Sequence, residues 1–411
     1  MIRALVVTPV YPVPDNPQAG VFIHRQVARL VEQGVACHVL TFRPAPPAFP
    51  RWLVRRSWLW YFWQAQQWPQ VRDGVESNVV FYERSWHEGE DVVPAIGRAL
   101  VGHIEARPEL CETDIVYAHW YWTGGAAALA LREQFGWPVA AIARGSEMHD
   151  WQVTNQHCRR YVERVIREAD LVLANCEDLR DRSESQVPGA AASIEVVYNG
   201  CDAKEFCPAG DRDAVRESLG FDPKLKYVLF CGDITSRKGA YELADAWERF
   251  RPSHPEWRLV VVGHATEPDA VARLRAAGGD RIDFVGRVPH SCVTRYMQAA
   301  DAFVQPSRLE GLANATMEAM AVGLPVITTD TCGQRELVID GENGWLIPSE
   351  NVAALETALR ELATDADRAS QYGAAARRTI ETRFNPETQA GRLASLLETT
   401  VAASRAPAPM R

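Results

Sequence analysis

The chain has 411 residues, which is too long for one ordinary core and predicts two or three domains. Hydrophobic residues make up 47% of it and charged residues 24%, and no segment approaches the roughly 18 uninterrupted apolar residues of a membrane-spanning helix. The net charge of -9 argues against a general nucleic-acid binder, which would need a basic face. The nine cysteines include no C-x-x-C pair and fit reduced thiols, so we expect a cytoplasmic protein.

Apolar runs alternate with helical spacing along the first half of the chain. The run at 4–8 is followed by a turn-rich stretch, a helical pattern at 21–33 and a second apolar run at 36–41. This order is a β-α-β beginning, and it predicts a parallel sheet. Further apolar runs lie at 115–118, 139–142, 171–174 and 194–197. The first half is therefore expected to be a doubly wound α/β domain.

The same pattern restarts after a polar stretch that ends at Pro223. New apolar runs lie at 227–231, 259–262, 282–285, 302–305 and 326–328, and a last helical segment covers 386–403. We predict an N-terminal domain at 1–204, a second α/β domain at 205–384, and a C-terminal helix at 385–411 that packs back towards the first domain and ends in a frayed tail. Because ligands bind at the carboxyl ends of parallel strands, two such domains that face each other predict a substrate cleft.

The segment EGLANATME places two carboxylates, Glu310 and Glu318, on either side of a small-residue turn. If a helix begins at Asn314 or Ala315, the free backbone N–H groups of Gly311, Leu312, Ala313 and Asn314 form an anion site for a diphosphate. Next to a diphosphate each carboxylate needs hydroxyl donors, which favours a ribose diol for Glu318 and a transferred sugar for Glu310. The alternative is a solvated loop acid and a helix-surface acid.

Two cations follow the predicted strand 227–231 in the segment GDITSRKG. Arg237 and Lys238 precede a helical pattern at 240–250, so they are expected at the carboxyl end of a strand. Both side chains supply charge-assisted donors to phosphate oxygens. An isolated Arg-Lys pair is more often an exposed basic turn. The EGLAN turn in the same domain favours phosphate binding.

Polar residues also follow two strands of the first domain. His119 comes directly after the run 115–118 and can donate or accept a hydrogen bond to a sugar hydroxyl. Arg144, Ser146 and Glu147 follow the next strand, where a structural turn and an acceptor contact are equally weighted. Gly20 lies between the first strand and helix, where it permits a ligand to approach the helix N-terminus.

Other patterns exclude several classes of protein. No G-x-G-x-x-G follows the first strand and no P-loop motif is present, which counts against a dinucleotide-dependent dehydrogenase and a P-loop NTPase. Asp211 and Asp213 read as a helix-capping and solvating pair, so no metal site is predicted. The segment 51–68 is rich in Trp and Arg, and it fits a buried or inter-domain helix better than a membrane contact.

With these residues in place, the chain resembles the retaining glycosyltransferases of family 4, which have the two-domain GT-B fold of Rossmann-like domains facing across a cleft. The likeness runs along nearly the whole length, through AGVFIHRQVARLVEQG, YAHWYWTGG, ARGSE, ADLVLANCEDL, VVYNGCDAKEFCP, LFCGDITSRKG, DFVGRVPHSCVTRYMQAADAFVQPS, EGLANATMEAMAVGLPVITTD and ENGWLI.

The resemblance implies roles for the residues already named. Glu318 would bind the ribose hydroxyls, Glu310 and the backbone of 311–314 the sugar and diphosphate, and Lys238 the diphosphate. His119 would contact the transferred sugar, Gly20 would lie beneath the phosphates, and the backbone near Val288 would meet the base. The family usually has Arg where this chain has Asp233. Either Arg237 replaces that cation or the donor sits differently.

The implied reaction transfers a sugar from a UDP- or GDP-linked donor to a hydroxyl acceptor with retention at the anomeric carbon. It needs no cofactor and no metal, and the departing diphosphate helps to deprotonate the acceptor. A glycan, a lipid-linked or a small hydroxyl acceptor is expected, in bacterial polysaccharide or glycoconjugate assembly. A lipid-linked acceptor would bring the segment 51–68 to the inner face of the cell membrane. The catalytic set is His119, Glu310 and Lys238, and the sequence does not predict an oligomeric state.

Two rival functions remain open at this level. A nucleotide-sugar epimerase or hydrolase would use the same donor site and turn over donor without any acceptor. A non-catalytic sugar-binding protein would carry an export signal and would need no phosphate site, and this sequence shows the reverse on both points.

Overall fold

The computed structural model describes residues 1–13, 16–45, 70–83, 92–145, 148, 155–190 and 193–406. Ser146, Glu147 and the segment 51–68 lie outside the described residues. The chain divides into two compact units. The first contains Met1–Tyr198 together with the residues from Glu387 onward, and the second contains Asn199–Pro386.

The first unit is built on an eight-stranded sheet in the order β3-β4-β2-β1-β5-β6-β7-β8. All its neighbouring strands are parallel except the antiparallel pair β3 and β4. The strands are β1 Arg3–Thr8, β2 Ala36–Pro44, β3 Gln70–Arg72, β4 Val75–Tyr82, β5 Ile115–His119, β6 Val139–Ala143, β7 Leu171–Ala174 and β8 Ile194–Val196. The predicted parallel sheet is confirmed, and the hairpin β3-β4 is an addition that the sequence analysis did not predict.

Helices cover both faces of this sheet, since alternate residues of each strand point to opposite sides. Val6 packs in one core with Leu397 of the C-terminal helix, and Val7 packs in the other core with Leu100. The helices are α1 Val21–Glu32, α2 Val93–Glu105, α3 Ala126–Phe135, α4 Gln156–Glu168, α5 Glu177–Gln186 and, at the end of the chain, α14 Pro386–Arg405. A short π-helix, Trp120–Gly125, joins β5 to α3.

The second unit has a six-stranded parallel sheet in the order β11-β10-β9-β12-β13-β14. The strands are β9 Lys226–Cys231, β10 Trp257–Val262, β11 Ile282–Gly286, β12 Ala302–Gln305, β13 Val326–Thr329 and β14 Trp345–Ile347. The helices are α6 Arg212–Ser218, α7 Ala240–Phe250, α8 Pro268–Gly278, α9 His290–Ala299, α10 Asn314–Val322, α11 Gln334–Leu337, α12 Val352–Thr364 and α13 Ala366–Arg383. Asp211 caps α6 by accepting from the N–H of Ala214 at 3.0 Å, which confirms the capping interpretation of that acid.

The order of strands explains why the polar residues gather where they do. In both sheets the chain leaves each parallel strand at its carboxyl end, so the loops after these strands lie along one edge. Within the second unit this edge carries the loops after β9, β11 and β12. Within the part of the chain that the structure describes, no helix is both long and apolar enough to span a bilayer.

Candidate active site

The sequence predicts an anion site at the N-terminus of α10 in the second unit. The helix begins at Asn314, and Ala313 stands before it in an extended conformation. Among the described residues, the backbone N–H groups of Gly311–Asn314 have no backbone acceptor. No acidic residue occupies the first turn of the helix, so the positive end of its dipole is not neutralised locally. These donors can therefore receive a phosphate.

Lys238 and Glu310 form an ion pair immediately beside that helix. Lys238 Nζ contacts Glu310 Oε1, and the Arg237 guanidinium lies 3.8 Å from the same oxygen. The hydroxyl of Ser307 also donates to it, at 3.2 Å. The side chains of Lys238 and Glu310 are mostly buried, whereas that of Arg237 is 56% exposed. Two cations and one carboxylate therefore occupy the same edge of the sheet.

The loop that carries both cations is bound tightly to its surroundings. Glu267 accepts from the backbone N–H of Ser236 at 2.8 Å and from its hydroxyl at 3.2 Å. Gly239 precedes α7 with φ 74°, and a Cβ there would lie 1.9 Å from the carbonyl oxygen of Pro306. Only glycine accommodates both the positive φ and this close approach. Lys238 is thus held next to the loop after β12.

Glu318 is buried rather than solvated, so the interpretation as a helix-surface acid is wrong. Its Oε1 lies 3.0 Å from His290 Nε2, and the ring of Phe206 meets the His290 ring edge-on at 5.8 Å. The pKa of Cys231, at the end of β9, is affected by the charges of both Glu318 and Lys238. Burial raises the pKa of the Cys231 thiol to about 12, with a further upward contribution from Glu318 and an opposite one from Lys238.

His119 is the buried last residue of β5 in the first unit. Its Nδ1 accepts from Arg144 Nε at 3.1 Å and from an Arg144 terminal nitrogen at 2.8 Å. Burial, and then the Arg144 charge, hold the pKa of His119 well below its ordinary value, so the ring is neutral. Its other nitrogen, Nε2, is buried and has no hydrogen-bond partner among the described residues.

The remaining predicted residues fall on the loops of the two units. Gly20 precedes α1 with φ 65°, and a Cβ there would lie 2.6 Å from the Val10 carbonyl oxygen. Val288 lies on the loop between β11 and α9, half-buried, and Asp233 is exposed on the loop after β9. The second unit therefore brings together Arg237, Lys238, Glu310 and the residues 311–314, with Glu318 on the same helix. Arg144 joins His119 in the first unit.

Sequence reasoning missed His290 and Ser307. His290 opens α9 directly after the loop that follows β11, so the rule that sites lie at strand ends could have found it. Ser307 stands two residues after β12 and has the same signal. The described residues hold no group of three or more His, Cys, Asp or Glu side chains with metal-ligand spacing.

Comparison with solved structures shows that the two α/β units have the GT-B fold. Sucrose-phosphate synthase from Thermosynechococcus elongatus superposes with a TM-score of 0.77 at 20% identity, covering 98% of this chain and 100% of that structure. HepE from Anabaena, solved in complex with UDP and glucose, superposes with a TM-score of 0.74 at 19% identity, covering 97% and 100%. These likenesses show the fold.

Sequence comparison gives the family. Residues 19–205 match the model of Glycosyltransferase Family 4, and residues 211–379 match that of Glycosyl transferases group 1. The lipopolysaccharide core biosynthesis mannosyltransferase LpsB of Rhizobium meliloti is 32% identical over 243 residues, which are 57% of this chain and 67% of that protein. The D-inositol 3-phosphate glycosyltransferase of Rhodococcus jostii is 30% identical over 314 residues, or 72% and 69%. The chain belongs to glycosyltransferase family 4, and it is a nucleotide-sugar-dependent glycosyltransferase.

Proposed function

We propose that the second unit binds the donor with its diphosphate at the N-terminus of α10, and that the sugar is transferred with retention to a hydroxyl acceptor. One observation carries the proposal. The Lys238–Glu310 pair stands beside four backbone N–H groups that have no acceptor among the described residues. A diphosphate satisfies the N–H groups and the lysine together, and it releases the carboxylate.

The released carboxylate has a defined task. Glu310 cannot accept from a phosphate and is repelled by it, so its oxygens turn to the hydroxyl groups of the sugar. The bond between the anomeric carbon and the diphosphate oxygen breaks as the acceptor oxygen bonds to the same face of that carbon. The acceptor proton passes to the departing diphosphate. Lys238, Arg237 and the α10 N–H groups stabilise the negative charge that develops on the leaving group.

Glu318 and the backbone near Val288 bind the nucleoside end of the donor. Glu318 accepts from the ribose diol, and the His290 contact at 3.0 Å holds the carboxylate in place. The backbone near Val288 meets the base. Arg237 supplies the second phosphate cation that Asp233 does not, since its guanidinium already lies within 3.8 Å of the Glu310 carboxylate.

The first unit supplies contacts to the sugar and to the acceptor. His119 contacts the transferred sugar and Gly20 lies beneath the phosphates. The backbone of Gly20 lies so close to Val10 that no side chain would fit at this position. Ser146 and Glu147 would contact the acceptor, whereas Arg144 is held against His119. Relatives named as mannosyltransferases of lipopolysaccharide core and of phosphatidylinositol mannosides support an acceptor from bacterial glycoconjugate assembly.

A donor panel tests the proposal. UDP- and GDP-linked sugars are added to the whole chain, thermal unfolding selects the donor, and the anomeric configuration of the product is read by NMR. A ligand at one hundred times its Kd stabilises by about 2.7 kcal/mol, which is easily detected. We expect one donor class to stabilise the chain and to give a retained product. Rapid turnover of donor without any acceptor would instead identify a nucleotide-sugar hydrolase or epimerase.

If the acceptor is lipid-linked, we propose that the segment 51–68 brings the enzyme to the inner face of the cell membrane, where such an acceptor is found. Its composition supports this, because Trp side chains favour the bilayer interface and each Arg near an anionic surface contributes about 1 kcal/mol. Co-sedimentation with anionic vesicles should fall when Trp58, Trp60 and Trp63 are replaced with Ser, and also when salt is raised. Failure of the unmodified chain to sediment would favour a soluble acceptor.

A further inference from the structure

His119 belongs to a chain of buried and partly buried hydrogen bonds in the first unit. Arg144 donates to His119 Nδ1 through two of its nitrogens, at 3.1 and 2.8 Å. The same guanidinium donates to Gln26 Oε1, which also accepts from the hydroxyl of Tyr117 at 3.0 Å. The Phe22 ring lies 5.7 Å from the guanidinium carbon. Arg144 is therefore held on several sides by residues of the first unit.

The direction of these bonds decides where the imidazole proton lies. A guanidinium carries five N–H donors and no acceptor, and it stays protonated in proteins. His119 Nδ1 must therefore present its lone pair to Arg144. A neutral imidazole has one N–H group, so the proton is on Nε2. A doubly protonated ring would direct its Nδ1 proton at the Arg144 guanidinium. Because His119 is fully buried, water would not screen the repulsion between the two positive charges.

We propose that Arg144 is a positioning residue that fixes His119 as the Nε2–H tautomer, so that His119 acts towards the transferred sugar only as a hydrogen-bond donor. The proposal rests on the proposed function for the identity of the ligand. This positioning role replaces the contact with the acceptor that the sequence predicts for Arg144. The guanidinium is buried against His119 and Gln26.

The burial of Nε2 gives the second, independent observation. His119 is fully buried, and this nitrogen has no partner among the described residues. A buried donor without an acceptor is costly, so a ligand oxygen that meets it is selected strongly. The group that faces Nε2 must be an acceptor, such as a hydroxyl oxygen. A sugar that carries an ammonium group at that position would place a second donor there and would be rejected.

The tautomer is measured directly on the whole chain with 15N-labelled histidine. Long-range proton–nitrogen correlation spectra distinguish a protonated from an unprotonated ring nitrogen, and His119→Asn identifies the signal among ten histidines. We expect a protonated Nε2, an unprotonated Nδ1, and no titration near the ordinary histidine value of about 6.5. Arg144→Met should move the titration of His119 upward, and Arg144→Lys, which keeps a charged donor, should hold it down.

Transfer rates complete the test, with thermal unfolding as the check that each variant is folded. Arg144→Met should lower kcat/KM about tenfold, the size of one lost hydrogen bond, and Arg144→Lys should stay within about threefold of the unmodified chain. The proposal is overturned if His119 carries its proton on Nδ1, if it titrates like an exposed histidine, or if Arg144→Met leaves spectrum and rate unchanged. A chain that transfers no sugar from any donor would refute the proposed function instead, and the spectra would still decide the tautomer.

Discussion

The two units handle charge in opposite ways. In the second unit the charged side chains of the site neutralise one another, as Lys238 does with Glu310, and they keep some contact with solvent. In the first unit the key group is a neutral histidine, His119, enclosed and held by a fixed cation, Arg144. In the second unit, a ligand can replace one charged side chain as the partner of the other. In the first unit, Arg144 and His119 keep each other as partners when a ligand binds.

Energetics explain why this division suits a transferase. The Lys238–Glu310 pair is mostly buried, so separating it without a new partner would be costly. A diphosphate lowers this cost because it gives Lys238 another anion as the pair separates. The buried His119 N–H behaves differently, because leaving it without an acceptor costs about 1–3 kcal/mol. A sugar oxygen that meets it recovers this energy. In the proposed mechanism, the second unit therefore adapts to the donor and the first unit selects it.

Gly239→Ala is expected to have the largest effect, because the loop that presents Lys238 depends on this glycine. A Cβ would lie 1.9 Å from the Pro306 carbonyl oxygen at φ 74°, so backbone must move. We expect a loss of about 3–5 kcal/mol in unfolding free energy, measured with denaturant, together with loss of donor binding. Gly220→Ala is the matched control, with φ 71° but open space, and should cost about 1 kcal/mol. Equal costs for the two variants would show that the close approach to Pro306 is unimportant.

Glu318→Ala should weaken donor binding about tenfold, the value of a hydrogen bond to a charged group. The sharper comparison uses a donor whose ribose lacks the 2′-hydroxyl. The unmodified chain should discriminate against this analogue, and Glu318→Ala should bind both donors equally. The exposed Glu217 on α6 provides a control substitution. If Glu318→Ala keeps the full discrimination, then Glu318 does not bind the ribose.

Acid should destabilise the first unit more than the second. The pKa values of His24, His38, His103 and His119, all in the first unit, are lowered mainly by burial, to about 4 for His103. The folded unit excludes protons that the unfolded chain binds below about pH 6.5, so stability is lost as pH falls from that value towards each folded pKa. In the second unit, burial lowers the pKa of His254 in the same way.

Hydrogen exchange, corrected for intrinsic rates, measures this difference by segment. Between pH 7.5 and 5.5 we expect protection of β1, β5 and α1 to fall more than protection of β9, β10 and α7. A greater loss of protection in the second unit would contradict the prediction that acid destabilises the first unit more.

A chelator should have the smallest effect, namely none. In the proposed mechanism, Lys238, Arg237 and the N-terminus of α10 supply the positive charge that other transferases take from a divalent ion, so transfer should proceed at the same rate in excess EDTA. Activity that EDTA abolishes and that magnesium or manganese restores would contradict the metal-free proposal.

Much of the fold follows from apolar periodicity. The strands Leu171–Ala174 and Ala302–Gln305 and the helix Ala240–Phe250 end where the sequence predicts, because each is a buried run bounded by turn residues. The hairpin of β3 and β4 was missed. Its outer strand has only three residues, and Val71 at its centre is exposed, so it carries little apolar pattern.

The site was predictable only in part, for a related reason. Strand ends indicate which loops gather, and this gave Lys238 and His119, whereas the EGLANATME turn gave Glu310. Contacts between loops depend on side-chain directions that no local pattern encodes. The Lys238–Glu310 pair joins residues 72 apart, and the contact of Arg144 with His119 spans two neighbouring strands. The burial of Glu318 likewise comes from packing around α10 rather than from its own segment.

Calorimetry of nucleotide binding to Lys238→Ala decides whether the donor diphosphate binds at Lys238, as proposed. The diphosphate and the free nucleoside of the donor that the panel selects are each titrated into the unmodified chain, Lys238→Ala and Lys224→Ala, whose lysine lies on an exposed loop. We expect Lys238→Ala to lose about tenfold or more in affinity for the diphosphate and nothing for the nucleoside, with Lys224→Ala unchanged. Full diphosphate affinity in folded Lys238→Ala would contradict the claim.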